Sequence, residues 1–412
     1  MNPEHNSRIH NESVDNKKIK IAIAHPRLGN GGSEARVMWG IEAIKEDFNV
    51  SLITFGDVDL PMLNEFYGTN ISKNELNIRI SRLPSKIRNL KVGDAIRGNL
   101  FQRYVRSIAT EYDLIISAYN PMDFGVPGIH FIADFSWDEL LRAEFHPSPP
   151  GRVKAFHKHR YLRRAYLVLA KSFANASKRD IFAGDDLMIA NSKWTAQLMA
   201  EKYGINAKVV YPPVLEKYPV VSFQQKQHGA VCIGRIDPAK RIERIIEIIK
   251  GVRQRGHDLH FHIIGNPTDS EYGHYIMKIV KSESDWIKLE GQCQGKRKAE
   301  LLSSHSIGIQ ACEYEAFGIS VAEMVKAGCL TFVHNSGGQT EIVNHLDLCY
   351  QNTNDAIEKI CALLDNAEKR LEISEHLACQ SKLFSSENFT SQFRSVVYNF
   401  LNRRNGANRG WK

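Results

Sequence analysis

The chain has 412 residues, 43% hydrophobic, 24% charged and 9% aromatic, a soluble globular composition whose length excludes a single small module and implies two or three domains. Fifty-four Lys and Arg against 46 Asp and Glu give +8 at neutral pH, which favours anionic partners without choosing among nucleotides, phosphorylated substrates, acidic membranes and nucleic acid. The excess is local: residues 152–179 hold nine Lys or Arg and no acid, whereas 301–350 hold five acids and only Lys326.

All seven cysteines lie in the second half, with no CxxC and no Cys/His zinc spacing, so a reducing, cytoplasmic compartment and no metal site are expected. No apolar run approaches the ~20 residues of a membrane span. Residues 1–18 are polar and lack the apolar core of a signal peptide, so a disordered tip on a protein that is not exported is expected.

In chain order, the run Ile19–Ala24 reads as a buried parallel strand. A glycine turn, His25–Gly32, then leads into a helix over Ser33–Lys45, with Ser33 as its expected cap. Further strands are expected at Val50–Phe55, Asp113–Ala118, Gly128–Ala133, Asp186–Ala190 and Lys208–Val210, with a helix at Lys193–Lys202. Three prolines and a polar tail interrupt the pattern at Tyr211–His228. It restarts with strands at Ala230–Ile233, Leu259–Ile264, Ile287–Leu289, Ile307–Gln310 and Leu330–Val333. Helices are expected at Arg241–Arg253, Ala299–Ser303 and Ser320–Ala327, and helical patterns follow at Asp355–Asn366 and Phe389–Asn402. The expectation is an α/β chain of two doubly wound, Rossmann-like units: 19–213, a linker at 214–228, 229–384, and a C-terminal helical segment at 385–412.

In open parallel sheets ligands bind beyond the carboxyl ends of the strands. Gly29-Asn30-Gly31-Gly32 follows the first strand and can present backbone N–H groups to an anion, although alone such a turn is more often a structural loop. Glu34 stands where a GxGxxG motif has its third glycine, which weakens a nicotinamide reading. Gly234-Arg235-Ile236-Asp237-Pro238-Ala239-Lys240 lies between strand and helix in the second unit and supplies two cations suited to a pyrophosphate, or a surface turn with two solvated cations. Glu315 and Glu323 lie eight apart around Phe317-Gly318-Ile319, one in a loop and one in a helix. That arrangement can hold a sugar while the helix N-terminus faces a phosphate. Ser320 is the expected cap of that helix.

These motifs, in order over roughly 19–345, resemble the retaining nucleotide-sugar glycosyltransferases of the GT-B fold, family four. Gly31-Gly32, Gly234-Arg235 with Lys240, the E-x7-E pair and Asn335–Val343 each match a family motif. The stretches IHFIADFSWDEL, IANSKWTAQLM and VVYPPV are similar to the branch of eukaryotic mannosyltransferases that extend the lipid-linked oligosaccharide core. The resemblance implies two facing units and transfer of a hexose from a UDP- or GDP-linked donor, without other cofactor, to a glycan or lipid-linked glycan. It implies Arg235 and Lys240 on the diphosphate, Glu323 on the ribose, and Glu315 with the amides of Phe317, Gly318 and Ile319 on the sugar. Gly31, Gly32, Gly234 and Gly265 join the donor site, and His130 approaches the transferred sugar. Met324 and Leu330 depart from the usual alanine and proline. A nucleotide-sugar epimerase or hydrolase of the same architecture is the alternative enzyme, and a nucleic-acid-binding protein, lacking any recognised motif, is the weaker one.

Asp57-Val58-Asp59 and Asp185-Asp186 read as turns rather than metal ligands. Two basic amphipathic segments, 79–106 and 152–179, suit the anionic cytoplasmic face of a membrane, or form solvated helix faces.

Overall fold

A computed structural model describes residues 18–29, 31–82, 93–145, 160–174, 179–214 and 218–409. The expected N-terminal tip up to residue 17, Asn30, and residues 83–92, 152–159 and 175–178 of the two basic segments lie outside the described residues.

The strands alternate with helices as β1 (Lys20–Ala24), α1 (Gly32–Ile44), β2 (Asn49–Thr54), α2 (Leu60–Tyr67), β3 (Leu76–Ile80), α3 (Asp94–Ser107), β4 (Leu114–Ser117), β5 (Ile129–Ile132), α4 (Glu139–Phe145), α5 (Arg160–Ser172), β6 (Leu187–Ala190), α6 (Lys193–Tyr203) and β7 (Lys208–Val209). The second run is β8 (Gln227–Ile233), α7 (Ile242–Gln254), β9 (His260–Ile264), α8 (Glu271–Ser282), β10 (Ile287–Gly291), α9 (Gly295–Ser304), β11 (His305–Gln310), α10 (Ile319–Lys326), β12 (Leu330–His334), α11 (Gln339–Val343) and β13 (Cys349–Tyr350), followed by α12 (Thr353–Asp365), α13 (Ala367–Ser381) and α14 (Ser386–Arg409).

Among the described residues these strands form two parallel sheets, ordered β3-β2-β1-β4-β5-β6-β7 and β10-β9-β8-β11-β12-β13. In each, the order reverses beside the first strand, between β1 and β4 and between β8 and β11, which opens a crevice at the carboxyl end. The central strands are apolar on both faces, with Ile21, Ile23, Ile116 and Phe131 in one core and Val231, Phe261, Ile309 and Phe332 in the other, because helices cover both sides. β8 begins at Gln227, inside the segment expected as linker.

The C-terminal helix α14 returns to the first sheet. Phe389, Phe393, Val396 and Val397 are all at most 2% exposed, each contributing about 1.5–3 kcal/mol on burial. Phe393 stacks on Phe131 with centroids 5.6 Å apart. Arg394 donates to Ala43 O at 3.0 Å and pairs with Asp47 at 2.7 Å.

Both expected serine caps are corrected. Gly31 is the N-cap of α1 and Gly318 that of α10. Ser33 sits one residue inside α1 and donates to Glu34 at 2.7 Å, while Ser320 accepts from Gln310 Nε2 at 3.2 Å. The Asp57–Asp59 string supplies a helix cap, Asp59 accepting from Met62 N at 3.1 Å.

Candidate active site

Both crevices open into one cleft of about 830 Å³ between the sheets. The loops after β1, β4, β5 and β6 bring Gly31-Gly32, Tyr119, Asp134 and Asn191 to it, and those after β8, β9, β10 and β11 bring Arg235, Gly265, Gln292 and Glu315. All five expected glycines, Gly31, Gly32, Gly234, Gly265 and Gly318, line it, with Arg235, Lys240, Glu315, Phe317, Ile319 and Glu323.

The first glycine loop is pinned by Tyr67, whose hydroxyl lies 2.8 Å from Gly29 O and 2.9 Å from Gly31 O. It presses on the second unit: a Cβ on Gly32 would meet Ile319 Cγ1 at 2.8 Å. In the second unit, a Cβ on Gly265 would overlap the carbonyl oxygen of Gly234, so only glycine lets the loop after β9 lie against the loop that carries Arg235.

The charges are arranged in pairs. Lys240 Nζ meets Glu315 Oε2 at 2.5 Å, and Lys298 Nζ meets Glu323 Oε1 at 3.0 Å. Burial pulls the Lys240 ammonium down, but Glu315 and Asp237 outweigh it and hold its pKa above the usual lysine range. The Arg235 side chain is 84% exposed, with Asp237 at 3.6 Å. Cys312 also lines the cleft, but burial, reinforced by Glu315, pushes its thiol up to about 12. It stays protonated at neutral pH, which rules it out as a thiolate nucleophile.

The loop bearing Glu315 is held from behind. Glu313 accepts from Arg241 at 2.9 Å and from Arg244 at 2.8 Å. Gly338 N donates to Glu315 O at 2.8 Å, Gln339 Nε2 donates to Cys312 O at 2.7 Å, and a Cβ on Gly338 would overlap Ala316 O. The glycine-rich stretch Asn335–Val343 therefore backs the Glu315 loop, and none of its residues lines the cleft. Met324 and Leu330 are fully or almost fully buried in the second core.

The same stretch joins the units. Glu341 accepts from Lys193 N at 2.9 Å and Trp194 N at 2.7 Å, the first amides of α6, and from Tyr211 OH at 3.1 Å. Ser192 Oγ donates to Ala316 O at 2.6 Å. In Glu341→Gln an amide nitrogen would face one of two N–H donors, at a cost of ~1–3 kcal/mol. We expect kcat/KM to fall roughly tenfold to a hundredfold with an unchanged circular-dichroism spectrum; an unchanged kcat/KM would show that catalysis does not need this junction.

His130 departs from expectation. It is 0% exposed, inside β5 as expected, but stacked on Phe124 at 4.8 Å, with Nε2 2.9 Å from Asp186 and Met122 N 3.3 Å from Nδ1. It does not line the cleft; Asp134, two residues past β5, does. Asp186, expected in a turn, has a wholly buried side chain that also accepts from Gly128 N at 2.8 Å.

Sequence reasoning missed Arg36, Tyr119, Asp134, Asn191 and Lys298. Arg36 is 3% exposed and donates to Ala118 O at 3.2 Å; burial pulls its pKa to about 10, against Asp134 and Glu34, so it stays charged. Tyr119, Asp134 and Asn191 each sit just past a strand end, the positional signal that singled out Gly234. Lys298 carries no such signal, because only tertiary packing sets it against Glu323.

Residues 215–377 match the family model described as glycosyl transferases group 1. A GDP-Man:Man(3)GlcNAc(2)-PP-Dol alpha-1,2-mannosyltransferase of Xenopus laevis is 24% identical over 436 residues, 92% of this chain and 87% of that protein. Proteins of the same name from Eremothecium gossypii and Mus musculus are 27% and 25% identical over 38% and 50% of this chain, and the match spans only 30% and 47% of their own length. Among solved structures, Anabaena HepE in complex with UDP and glucose superposes with a TM-score of 0.64 at 16% identity, over 92% of this chain and 100% of that one. Sucrose-phosphate synthase from Thermosynechococcus elongatus gives 0.66 at 14%, over 94% and 100%. The second unit thus matches the group 1 glycosyl transferases model over residues 215–377, and the two facing parallel-sheet units share the fold of HepE and sucrose-phosphate synthase.

Proposed function

We propose that the protein transfers a hexose, with retention of configuration, from a nucleoside diphosphate sugar to a lipid-linked glycan, and that the donor is GDP-mannose. The observation that carries this reading is the meeting of Arg235, Lys240, Glu315 and Glu323 with two glycine loops in one cleft. The mannosyltransferase relatives support the choice of donor and acceptor.

Arg235 and Lys240 take the diphosphate, Glu323 the ribose hydroxyls, and Glu315 with the amides at the start of α10 the sugar. The acceptor hydroxyl attacks C1 on the face from which the β-phosphate leaves. The bond from C1 to the phosphate oxygen breaks, and the acceptor proton passes to that oxygen. Negative charge grows on the leaving phosphate, where cations and amides already fixed by the fold stabilise it. Asp134, Tyr119 and Arg36 face this cleft from the first unit and border the acceptor side.

No described helix is long and apolar enough to cross a membrane. The helix α5 nevertheless exposes Tyr161, Leu162, Val168 and Leu169, at 86, 58, 65 and 57%, beside exposed Arg164 and Lys171. That mixture suits an anionic interface, and we assign it to docking at the membrane that holds the acceptor.

The test is donor-dependent stabilisation and transfer with GDP-mannose and UDP-glucose, the acceptor presented in vesicles with and without anionic lipid. Stabilisation and transfer with GDP-mannose, faster on anionic vesicles, are expected. Preference for the uridine donor would overturn the donor assignment, and product formed without acceptor would overturn transfer.

A further inference from the structure

A second cluster of chemistry-bearing side chains lies at the amino ends of the central strands of the second sheet, opposite the cleft. His260 opens β9, His262 follows on the same face of that strand, and His305 opens β11. Strand β8 runs between β9 and β11. Its residue opposite His260 is Gly229, where a Cβ would overlap the His260 ring. The missing side chain lets imidazoles from the two outer strands meet across the middle one.

They meet closely. His260 Nε2 and His305 Nε2 are 3.2 Å apart. Ring centroids are 4.5 Å apart for His262 and His305, 5.0 Å for His260 and His262, and 5.1 Å for His260 and His305. One ring nitrogen from each residue lies within 4.8 Å of the other two. Two imidazole nitrogens on a tetrahedral zinc ion, each bonded at ~2.0–2.1 Å, sit about 3.3 Å from one another. A hydrogen bond between His260 and His305 accounts for one of these contacts, but not for the third ring.

The outward nitrogen of His305 is set as a metal ligand requires, and that of His262 lies beside a carboxylate. His305 Nδ1 is 2.6 Å from Leu301 O, which can only accept, so that nitrogen carries the proton and Nε2 presents its lone pair. His262 Nδ1 faces Glu290 Oε1 at 2.9 Å, and Glu290 is held in turn by Arg297 at 3.0 Å. A carboxylate or carbonyl behind the ring is the usual support of a metal-bound histidine.

We propose that His260, His262 and His305 form a binding site for one transition-metal ion of the zinc class. The site is separate from the donor cleft, since Ile264, at the other end of β9, lines that cleft four residues away, about 13 Å at strand rise. His260 and His262 are only partly buried, which gives an ion a path from solvent and leaves a coordination position for water. By tying β9 to β11 across β8, the ion would brace the centre of the sheet that carries the Arg235 and Glu315 loops. The sequence pattern H-x-H with a third histidine 43 residues on (305 − 262) resembles no Cys/His zinc-finger spacing, because the fold rather than the chain brings the third ligand.

The experiment is equilibrium dialysis of metal-stripped full-length protein against zinc chloride, with thermal unfolding in parallel. One zinc per chain and a raised midpoint in proportion to metal are expected. The double variant His260→Gln with His262→Gln should lose both, and Glu290→Gln should bind tenfold to a hundredfold more weakly. No stoichiometric binding by the unmodified chain at micromolar free zinc overturns the site, whatever the variants do. Equal binding by the double variant overturns it as well.

Discussion

Lys240→Ala is expected to lower turnover by roughly a hundredfold to a thousandfold, the effect of removing one preorganised group that meets charge developing in a transition state. The Lys240 side chain is only 18% exposed and is fixed against Glu315, so it needs little reorganisation when charge moves to the leaving phosphate. Its pKa lies above the usual lysine range; a raised lysine keeps its charge until pH climbs through that higher value. No limb of the pH–rate profile between pH 6 and 9 should therefore belong to it. Arg235→Ala should reduce turnover in the same direction. With 84% of its side chain exposed, Arg235 is less well positioned, so the loss should be no larger. Single-turnover rates of both variants at saturating donor provide the check. An unchanged rate for Lys240→Ala would remove the diphosphate assignment, because Lys240 is paired directly with Glu315 of the sugar loop.

What was legible in the sequence follows from which forces are local. β1, α1, β8 and α7 are encoded by short apolar periodicity and by glycine turns, so their centres are readable and their ends drift by up to three residues. The caps depart from the expectation because serine is the commoner N-cap, whereas a Cβ at Gly31 would meet the Glu34 carboxylate and Gly318 has a left-handed backbone, φ +103°. Arg235, Lys240, Glu315 and Glu323 were legible because each lies in a recognisable motif in the segment that leads from a strand into the next helix. Lys298 and Arg36 were not: each gains its place from contacts tens of residues away in sequence, to Glu323 and to Ala118. The histidine cluster was hidden for the same reason, with Gly229 creating the space and β11 supplying the third ring.

His130, put forward by resemblance, is buried behind the cleft wall, and its partner Asp186 carries the largest stability effect expected outside the cleft. The Asp186 side chain is 0% exposed and serves His130, Gly128 N and Arg179 at once. Removing one member of a buried ionic group leaves the others without compensation, typically at ~3–5 kcal/mol, so Asp186→Ala should lower the unfolding midpoint by roughly 10 °C. Asp186→Asn keeps an acceptor for Gly128 N and should lose less. His130→Gln then separates a positioning role from contact with the transferred sugar. If His130 only braces β5 beside the loop that carries Asp134, this variant lowers the midpoint while turnover per folded molecule stays within a fewfold of the unmodified chain. A stable His130→Gln protein with turnover down a hundredfold would place the imidazole at the reacting carbon after all, and would require β5 to shift outward when donor and acceptor bind.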